Sequence, residues 1–467
     1  MPAPSLSRPA PVPPADGLPV PRRYWAIAAI ALGIAMSVLD STITNIALPS
    51  MARDLGASPA ASIWIINSYQ LAILVLLLPL ASLGEIVGYR RISLIGLAVF
   101  TLASLLCAAA PSLLTLSVAR VLQGVGAAGI MGVSPALVRF TYPQRYLGRA
   151  VSINAFVVAT SAALGPTLAS AVLAVAQWRW LFGINVPLGI AALAIAHYAL
   201  PHTERARRPF DYREAALYAG AFGLLLSGLQ SLAHHAATAL ALAQIVCGAL
   251  LGAVLVRHEL PRAAPLIPFD LLRIRVFALS VAAAVCAFVA QMTALVALPF
   301  EIQRLGHSAS ATGLFMTPWP LAIAAVAPFA GRLADRYRAG MLGGLGLLGM
   351  SSGLALLALF PEHGSGAGLA WRMALCGLGF GLFQSPNNRA LLSAAPRSRS
   401  GAAGGMLSTA RLVGQTLGAT SVAILFRAVP ASGANLALWA AAATALAAAA
   451  VSGARLTLRE GPRNLPP

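Results

Sequence analysis

Apolar stretches of about 20 residues recur along this 467-residue chain and leave it few possible folds. A helix of that length crosses the ~30 Å hydrocarbon core of a membrane. One soluble core would instead require apolar runs of about 10 to 14 residues and many polar helix faces. With 58% hydrophobic and 10% charged residues, the chain does not offer them. The sequence therefore predicts an all-α, multi-pass membrane protein.

Hydropathy, with Pro, Gly and Arg residues marking the ends of the apolar stretches, predicts fourteen membrane helices. Their predicted ranges are 24–48, 62–83, 91–109, 112–138, 149–172, 181–200, 214–231, 236–256, 276–299, 311–331, 340–360, 368–390, 402–426 and 433–453. The predicted domains are a cytoplasmic tail at 1–23, a six-helix half at 24–200, a cytoplasmic loop at 201–213, a two-helix insertion at 214–256, a cytoplasmic loop at 257–275, a six-helix half at 276–453 and a cytoplasmic tail at 454–467. The Pro-rich N-terminal tail is expected to be disordered, and no cleavable signal peptide is expected.

An internal repeat supports the division into halves. PLASLGEIVGYRR joins the second and third helices, and PFAGRLADRYRAG joins the tenth and eleventh about 250 residues later. Ser134-Pro135 matches Ser385-Pro386 at nearly the same displacement. A repeat of this length is typical of duplicated transporter halves rather than of short solenoid repeats.

The net charge of +19 is a signal of topology. The chain has no Lys, and most of its 32 Arg fall in loops on one predicted side, so they place both termini in the cytoplasm of a bacterial inner membrane. Nucleic-acid binding is not expected. The four Cys and the scattered His show no metal or disulfide spacing, and no nucleotide-binding loop is present. No catalytic cluster, cofactor or metal site is therefore predicted.

Four motifs carry a family resemblance: LDSTITNIALP, ARVLQGVGAAG, ALGPTLAS and WRWLFGINVPLG, which begin at Leu39, Ala119, Ala163 and Trp178. With them the chain resembles the major facilitator superfamily and, within it, the 14-span drug:proton antiporters. The resemblance implies two six-helix halves with two extra helices between them, and alternating access driven by the proton gradient. It departs from the antiporter motif where Ala169 and Ser170 replace two glycines.

Asp40 is the candidate for proton coupling, because an ionisable residue within a membrane helix marks a functional site. It lies on a polar face of the first helix with Ser37, Ser41 and Thr44. Its expected partner is Arg120 on the fourth helix, one turn from Gln123. Alternatively, Arg120 extends to the membrane surface, or Asp40 only supports polar packing. We favour coupling, which the family resemblance also implies.

Two loop motifs are interpreted as gates whose salt bridges stabilise one access state. Their residues are Glu85, Gly88, Arg90 and Arg91 in the first half, and Gly331, Asp335 and Arg336 in the second. Gly165 and Pro166 in the fifth helix are predicted to permit a bend and close helix approach. The alternatives are plain cytoplasmic charge for the loops and generic packing for the helix.

Aromatic, Met and amide residues form the candidate substrate cavity. They are Trp64, Asn67, Gln70, Asn154, Phe156, Gln291, Met292, Trp319, Phe383, Gln384, Asn387 and Asn388. Each one taken alone fits packing at least as well. Arg411 either binds anionic substrate or ties its helix to neighbouring carbonyls, and the sequence favours the second.

These observations predict a monomeric, proton-coupled exporter rather than an enzyme, with protons, lipid and a small lipophilic molecule as its partners. A cationic cargo is favoured. The same fold would serve an exporter or symporter of a metabolite, sugar or siderophore. A membrane-embedded enzyme or receptor is the remote alternative, since no acid and histidine cluster lies at membrane depth.

Overall fold

The computed structural model describes residues 17–143, 147–203, 209–233, 238–259, 270–360, 365–395, 400–430 and 432–457. Most of both predicted tails and the middle of both predicted cytoplasmic loops, at 204–208 and 260–269, lie outside the described residues. The side chains of Asn154 and Asp335 also lie outside them.

In the described part of the chain, seventeen α-helices account for all fourteen helices expected from the sequence. The first half contains α1 (Arg22–Asp54), α2 (Pro59–Ser62), α3 (Trp64–Val87), α4 (Tyr89–Ala108), α5 (Leu113–Thr141), α6 (Leu147–Val175), α7 (Arg179–Gly183) and α8 (Asn185–Ala199). The insertion is α9 (Tyr212–Ala233) and α10 (Thr238–Glu259). The second half contains α11 (Arg275–Arg304), α12 (Ala309–Met316), α13 (Pro318–Arg336), α14 (Ala339–Ala358), α15 (Gly366–Ala394), α16 (Ser400–Ala428) and α17 (Gly433–Ala454).

The number of helices exceeds the number expected because three of the expected helices are broken near one end. The breaks produce the pairs α2 and α3, α7 and α8, and α12 and α13. Among the described residues, twelve helical segments are long and apolar enough to cross a membrane. Those segments lie in twelve of the fourteen expected helices, and the other two are α9 and α16. The all-α fold class is confirmed.

The internal repeat is visible in the turn that follows the first helix of each half. Gly56 and Gly306 adopt φ values of 60° and 88°, the left-handed region that favours glycine. Two residues later, the hydroxyls of Ser58 and Ser308 each accept a hydrogen bond of 3.1 Å from the backbone N–H three positions on. This is the N-cap geometry expected of serine, so the same local chemistry begins a helix at positions 250 residues apart.

Helix packing repeats as well. A Cβ at Gly126 in α5 would lie 2.7 Å from the carbonyl oxygen of Gly96 in α4. In the second half, a Cβ at Gly346 in α14 would lie 2.5 Å from the carbonyl oxygen of Gly379 in α15. Small residues allow such close approach of membrane helices. The two halves therefore use the same glycine contact at the same place.

The inserted helices pack against both halves. α9 and α10 lie against each other, and α9 also contacts α3 and α16. The buried Tyr218 of α9 donates its hydroxyl hydrogen to the carbonyl oxygen of Leu74 in α3, at 3.0 Å. α9 thus covers one side of the junction between the halves.

The halves contact each other at one end of the bundle through polar side chains of α1, α6, α11 and α12. We call the end at which α1 begins and α17 ends the terminal end, and the opposite end the distal end. At the distal end, Arg53 donates to Gln303 Oε1 at 3.0 Å and the hydroxyls of Ser170 and Ser310 lie 3.3 Å apart. These contacts join α1 to α11 and α6 to α12, so the halves meet at the distal end in this conformation.

Candidate functional site

Asp40 lies deep inside α1 and has no exposed surface. It is fourteen residues from the last residue of the helix, or about 21 Å along the axis at 1.5 Å per residue. A carboxylate at that depth is costly unless neighbouring groups donate hydrogen bonds to it.

Three side chains supply those donors. Arg120 of α5 pairs with Oδ2 through Nη1, while Gln123 Nε2 and Asn185 Nδ2 donate to Oδ1 at 2.8 and 3.1 Å. Each of these contacts presents a donor to an acceptor oxygen, which is the arrangement that suits an ionised carboxylate. The structure thus brings together the Asp40 and Arg120 expected from the sequence.

Arg120 is held within the bundle and does not reach its surface, since it is 1% exposed. Its Nε donates to the carbonyl oxygen of Ile65 at 3.0 Å, and its Nη1 also donates to Gln123 Oε1 at 2.7 Å. The guanidinium lies 4.0 Å from the ring centroid of Tyr69, which adds a cation–π contact. The surface-directed alternative for Arg120 is therefore wrong in this conformation.

The hydroxyls of Ser37 and Thr44, in the polar stripe of α1, bond to their own helix. Ser37 donates to the carbonyl oxygen of Gly33 at 3.0 Å, and Thr44 donates to that of Asp40 at 2.7 Å. Hydroxyls bonded in this way satisfy themselves without a partner helix. Ser41 is half-buried. The centre of the site therefore consists of Asp40, Arg120, Gln123 and Asn185, with the polar stripe beside it.

The first-half loop motif is tied to the end of α8. Gly88 makes the turn between α3 and α4 with φ of 109°, and Arg90 then donates to the carbonyl oxygen of His197 and contacts the ring of His202. These Arg90 contacts stay within one half. Of the other motif residues, Glu85 is half-buried, and Arg91, Gly331 and Arg336 are exposed.

Gly165 and Pro166 lie where α6 meets two other helices. A Cβ at Gly165 would come within 2.6 Å of the Thr42 side chain on α1, and a Cβ at Gly313 of α12 would come within 2.5 Å of the Pro166 carbonyl oxygen. One turn on, Ser170 donates its hydroxyl hydrogen to the carbonyl oxygen of Ser310. The predicted close approach thus occurs where the halves contact each other at the distal end.

Two candidate cavity residues bridge the halves directly. Asn67 Nδ2 of α3 donates to Thr420 Oγ1 of α16 at 3.4 Å. Gln70 Nε2, one turn further, lies 3.9 Å from the Met292 sulfur of α11. These polar contacts lie at the boundary between the halves.

Asn387 has a different role from the cavity lining expected of it. Its amide donates to the Ser280 carbonyl oxygen at 3.1 Å and accepts from Arg455 Nη1 at 2.8 Å, inside the second half. Trp319 and Phe383 are fully buried, and Phe156 is 70% exposed. Half-buried positions are taken by Trp64, Gln291, Gln384 and Asn388.

Sequence reasoning did not assign Asn185 and Tyr69 to the site. Asn185 opens α8 within the motif WRWLFGINVPLG, so its position was available from the sequence, but its direction was not. The same motif supplies Trp178 and Arg179, which donate to Asp54 Oδ2 at 2.9 and 2.7 Å. That contact fastens α7 to the distal end of α1.

The chain belongs to the Major Facilitator Superfamily, whose profile matches residues 30–419. Its relatives include the "Uncharacterized transporter YebQ" of Escherichia coli, 51% identical over 95% of this chain and 98% of that protein. The "Multidrug resistance protein Stp" of Mycobacterium tuberculosis is 33% identical over 84% of this chain and 73% of its own length. The crystal structure of a D-xylose-proton symporter has the same fold, with a TM-score of 0.67 at 15% identity over 92% of this chain and 97% of that one. The chain is therefore a membrane transporter and not an enzyme.

Proposed function

We propose that this transporter is a 14-span drug:proton antiporter, which exports lipophilic compounds in exchange for protons across a bacterial inner membrane. The proposal rests on the buried Asp40–Arg120 pair, because Asp40 is an ionisable residue at membrane depth. Similarity to the multidrug resistance protein Stp supports export.

The coupling step follows from the donors around Asp40. Protonation of Oδ2 would direct an O–H toward Arg120, which already donates to that oxygen. Proton uptake therefore favours separation of Arg120 from Asp40, and so of α5 from α1. Rearrangement of these two helices is the event that links proton binding to the change of access.

The halves contact each other at the distal end, and the Arg-rich loops lie at the terminal end. With the terminal end in the cytoplasm, as positive-inside charge favours, these polar contacts between the halves lie on the outer side of the membrane. Release of the proton inward would restore the pairing of the carboxylate with Arg120.

The proton gradient is a sufficient energy source. The membrane potential supplies about 2.3 kcal/mol per charge per 100 mV, and each pH unit adds about 1.4 kcal/mol. One proton at 100 mV and one pH unit therefore supports a cargo gradient of several hundred-fold.

A second candidate function is transport of a metabolite, sugar or siderophore. The fold does not separate it from drug export, since a sugar–proton symporter has the same architecture. Absence of any drug-sensitivity phenotype in a deletion strain, together with uptake or export of a metabolite, would favour this candidate.

Proton movement in proteoliposomes tests the proposal. Interior pH is followed while lipophilic cations, anions and neutral compounds are added in turn, with wild type, Asp40→Asn and Asp54→Asn side by side. Asp54 is the matched control, because it is the other carboxylate of α1 and lies at the distal end. Cargo-dependent proton movement in wild type and Asp54→Asn but not in Asp40→Asn is expected. Equal movement in all three would overturn the role of Asp40.

A further inference from the structure

The fixed charge at membrane depth is positive. Within the described helices, Asp40 is the one acid that lies more than a helical turn from a helix end, and Arg120 already neutralises it. Arg411 lies eleven residues into the 29-residue α16, close to the midpoint of the helix. A cation there has no fixed acidic partner at its own depth.

Arg411 occupies a polar face of α16. Ser408, Arg411 and Gln415 fall within about 60° of one another at 100° per residue, whereas Val413 and Leu417 lie on the opposite face. That opposite face packs into the same apolar cluster as Leu226 of α9. The polar face therefore points away from α9.

Contacts on the two faces of α16 next to Arg411 indicate the direction in which Arg411 points. A Cβ at Gly414 would lie 2.7 Å from Phe288 Cβ of α11, so this adjacent face meets the second half. A Cβ at Gly405, on the other adjacent face, would lie 3.5 Å from the Leu78 side chain of α3, in the first half. Arg411 lies between these two faces, so it is directed into the junction of the halves.

The guanidinium of Arg411 has N–H donors that are not used by the described residues. Its Nε is buried and bonds to no described residue, and no described carboxylate pairs with it. Arg120, by contrast, donates to a carboxylate, a carbonyl oxygen and an amide oxygen. Arginine offers five N–H donors in a fork that matches a carboxylate or sulfonate.

We propose that Arg411 is the counter-charge for an amphipathic organic anion, so that the cargo carries a carboxylate, sulfonate or similar acid group on an apolar body. This inference rests on the proposed function only in placing cargo between the two halves. It replaces the cation expected from the sequence, because the one deep carboxylate is engaged by Arg120. An anion between the halves would satisfy the free donors and neutralise the excess charge.

Two dyes that share a xanthene ring and differ in charge test the proposal: fluorescein, an anion, and rhodamine 123, a cation. Their binding to the purified full-length transporter is measured by fluorescence anisotropy at low and high salt. Wild type is expected to bind fluorescein at least ten-fold more tightly than rhodamine 123. Arg411→Gln is expected to raise the fluorescein Kd at least ten-fold without raising the rhodamine 123 Kd.

Two further variants guard against a folding effect. Arg411→Lys keeps the charge and is expected to bind fluorescein more tightly than Arg411→Gln does. Arg372→Gln is the matched control, because that part-buried arginine of α15 already donates to the Gly368 carbonyl oxygen at 2.7 Å. It is expected to leave both Kd values unchanged.

Preference of wild type for rhodamine 123, or equal loss of both dyes in Arg411→Gln, would overturn the assignment. The failures of the two proposals are distinguishable. Proton movement that is driven by cations and requires Asp40 would support the antiporter proposal and refute the proposal of an anionic cargo. Fluorescein binding that depends on Arg411, without proton movement, would support the anionic cargo and refute the proton coupling.

Discussion

Removing the charge of Asp40 leaves Arg120 as an uncompensated cation inside the bundle. Asp40→Asn also replaces one of the two acceptor oxygens with an N–H₂ donor, although three side chains donate to that carboxylate. Breaking a buried pair by removing one partner costs about 3–5 kcal/mol. We expect a loss of that size, which is roughly a 10²- to 10³·⁵-fold fall in the folded-to-unfolded ratio at 1.4 kcal/mol per decade.

A double-mutant cycle separates this pair from general packing. Arg120→Gln alone leaves a buried carboxylate without its cation, so it is expected to lose a similar amount. The double variant Asp40→Asn/Arg120→Gln contains no buried charge at this site and is expected to be more stable than either single variant. The coupling between the two positions should therefore reach about 2 kcal/mol or more.

Reversible unfolding in mixed detergent micelles is the assay, followed by far-UV circular dichroism. Asp54→Asn, on the same helix, is half-exposed and is expected to change the unfolding free energy by about 1 kcal/mol or less. Additive effects of the two substitutions at Asp40 and Arg120 would refute the view that this pair is one buried electrostatic unit.

Three shorter predictions concern the packing of the fold. Gly126→Ala should lower the unfolding free energy by about 1–3 kcal/mol, because its Cβ would lie 2.5 Å from a backbone nitrogen of α4. Gly453→Ala is the control: its Cβ would meet no atom within 4 Å, so the substitution should be neutral or stabilising by up to about 1 kcal/mol. With the native cysteines replaced, Ser170→Cys/Ser310→Cys should cross-link on oxidation and block transport until reduced; full transport by the cross-linked form would show that the distal contact need not open. Tyr218→Phe should destabilise the protein by about 1 kcal/mol, measured by unfolding midpoint, and an unchanged midpoint would mean that its hydroxyl does not tether α9.

Periodic features of the sequence predicted most of the fold. A membrane helix must satisfy its own backbone in a medium without water, so long apolar runs could hardly form anything else. The internal repeat also predicted that the second half would copy the first, as the matching turns at Gly56 and Gly306 show. The breaks that produce α2, α7 and α12 were not predicted, because they depend on local backbone angles within apolar sequence.

The candidate site was predictable in part. Asp40 and Arg120 are conspicuous because charge is rare at membrane depth, and their pairing follows from the cost of leaving either alone. The role of Asn185 was not predictable, because the sequence does not show which residue an amide in a helix will contact once the helices are packed. Asn387 shows the opposite error: a shared helical face suggested a cavity, whereas its amide is used inside the second half.

The halves also differ where the repeat would make them alike. The residue 250 positions after Asp40 is Ala290, a buried alanine in α11. The first half therefore holds the ion pair, and the second half contributes Arg411, which has no charged counterpart in the repeat. This asymmetry assigns proton handling to one half and cargo charge to the other in the account proposed above.

Counterflow and uphill transport, measured in the same proteoliposomes, test the coupling claim most directly. The dye that wild type transports is exchanged first without a proton gradient and then with one imposed. Asp40→Asn is expected to exchange dye across the membrane at equilibrium but to build no dye gradient when the proton gradient is applied, while Asp54→Asn does both. Uphill accumulation by Asp40→Asn equal to that of wild type would contradict the account.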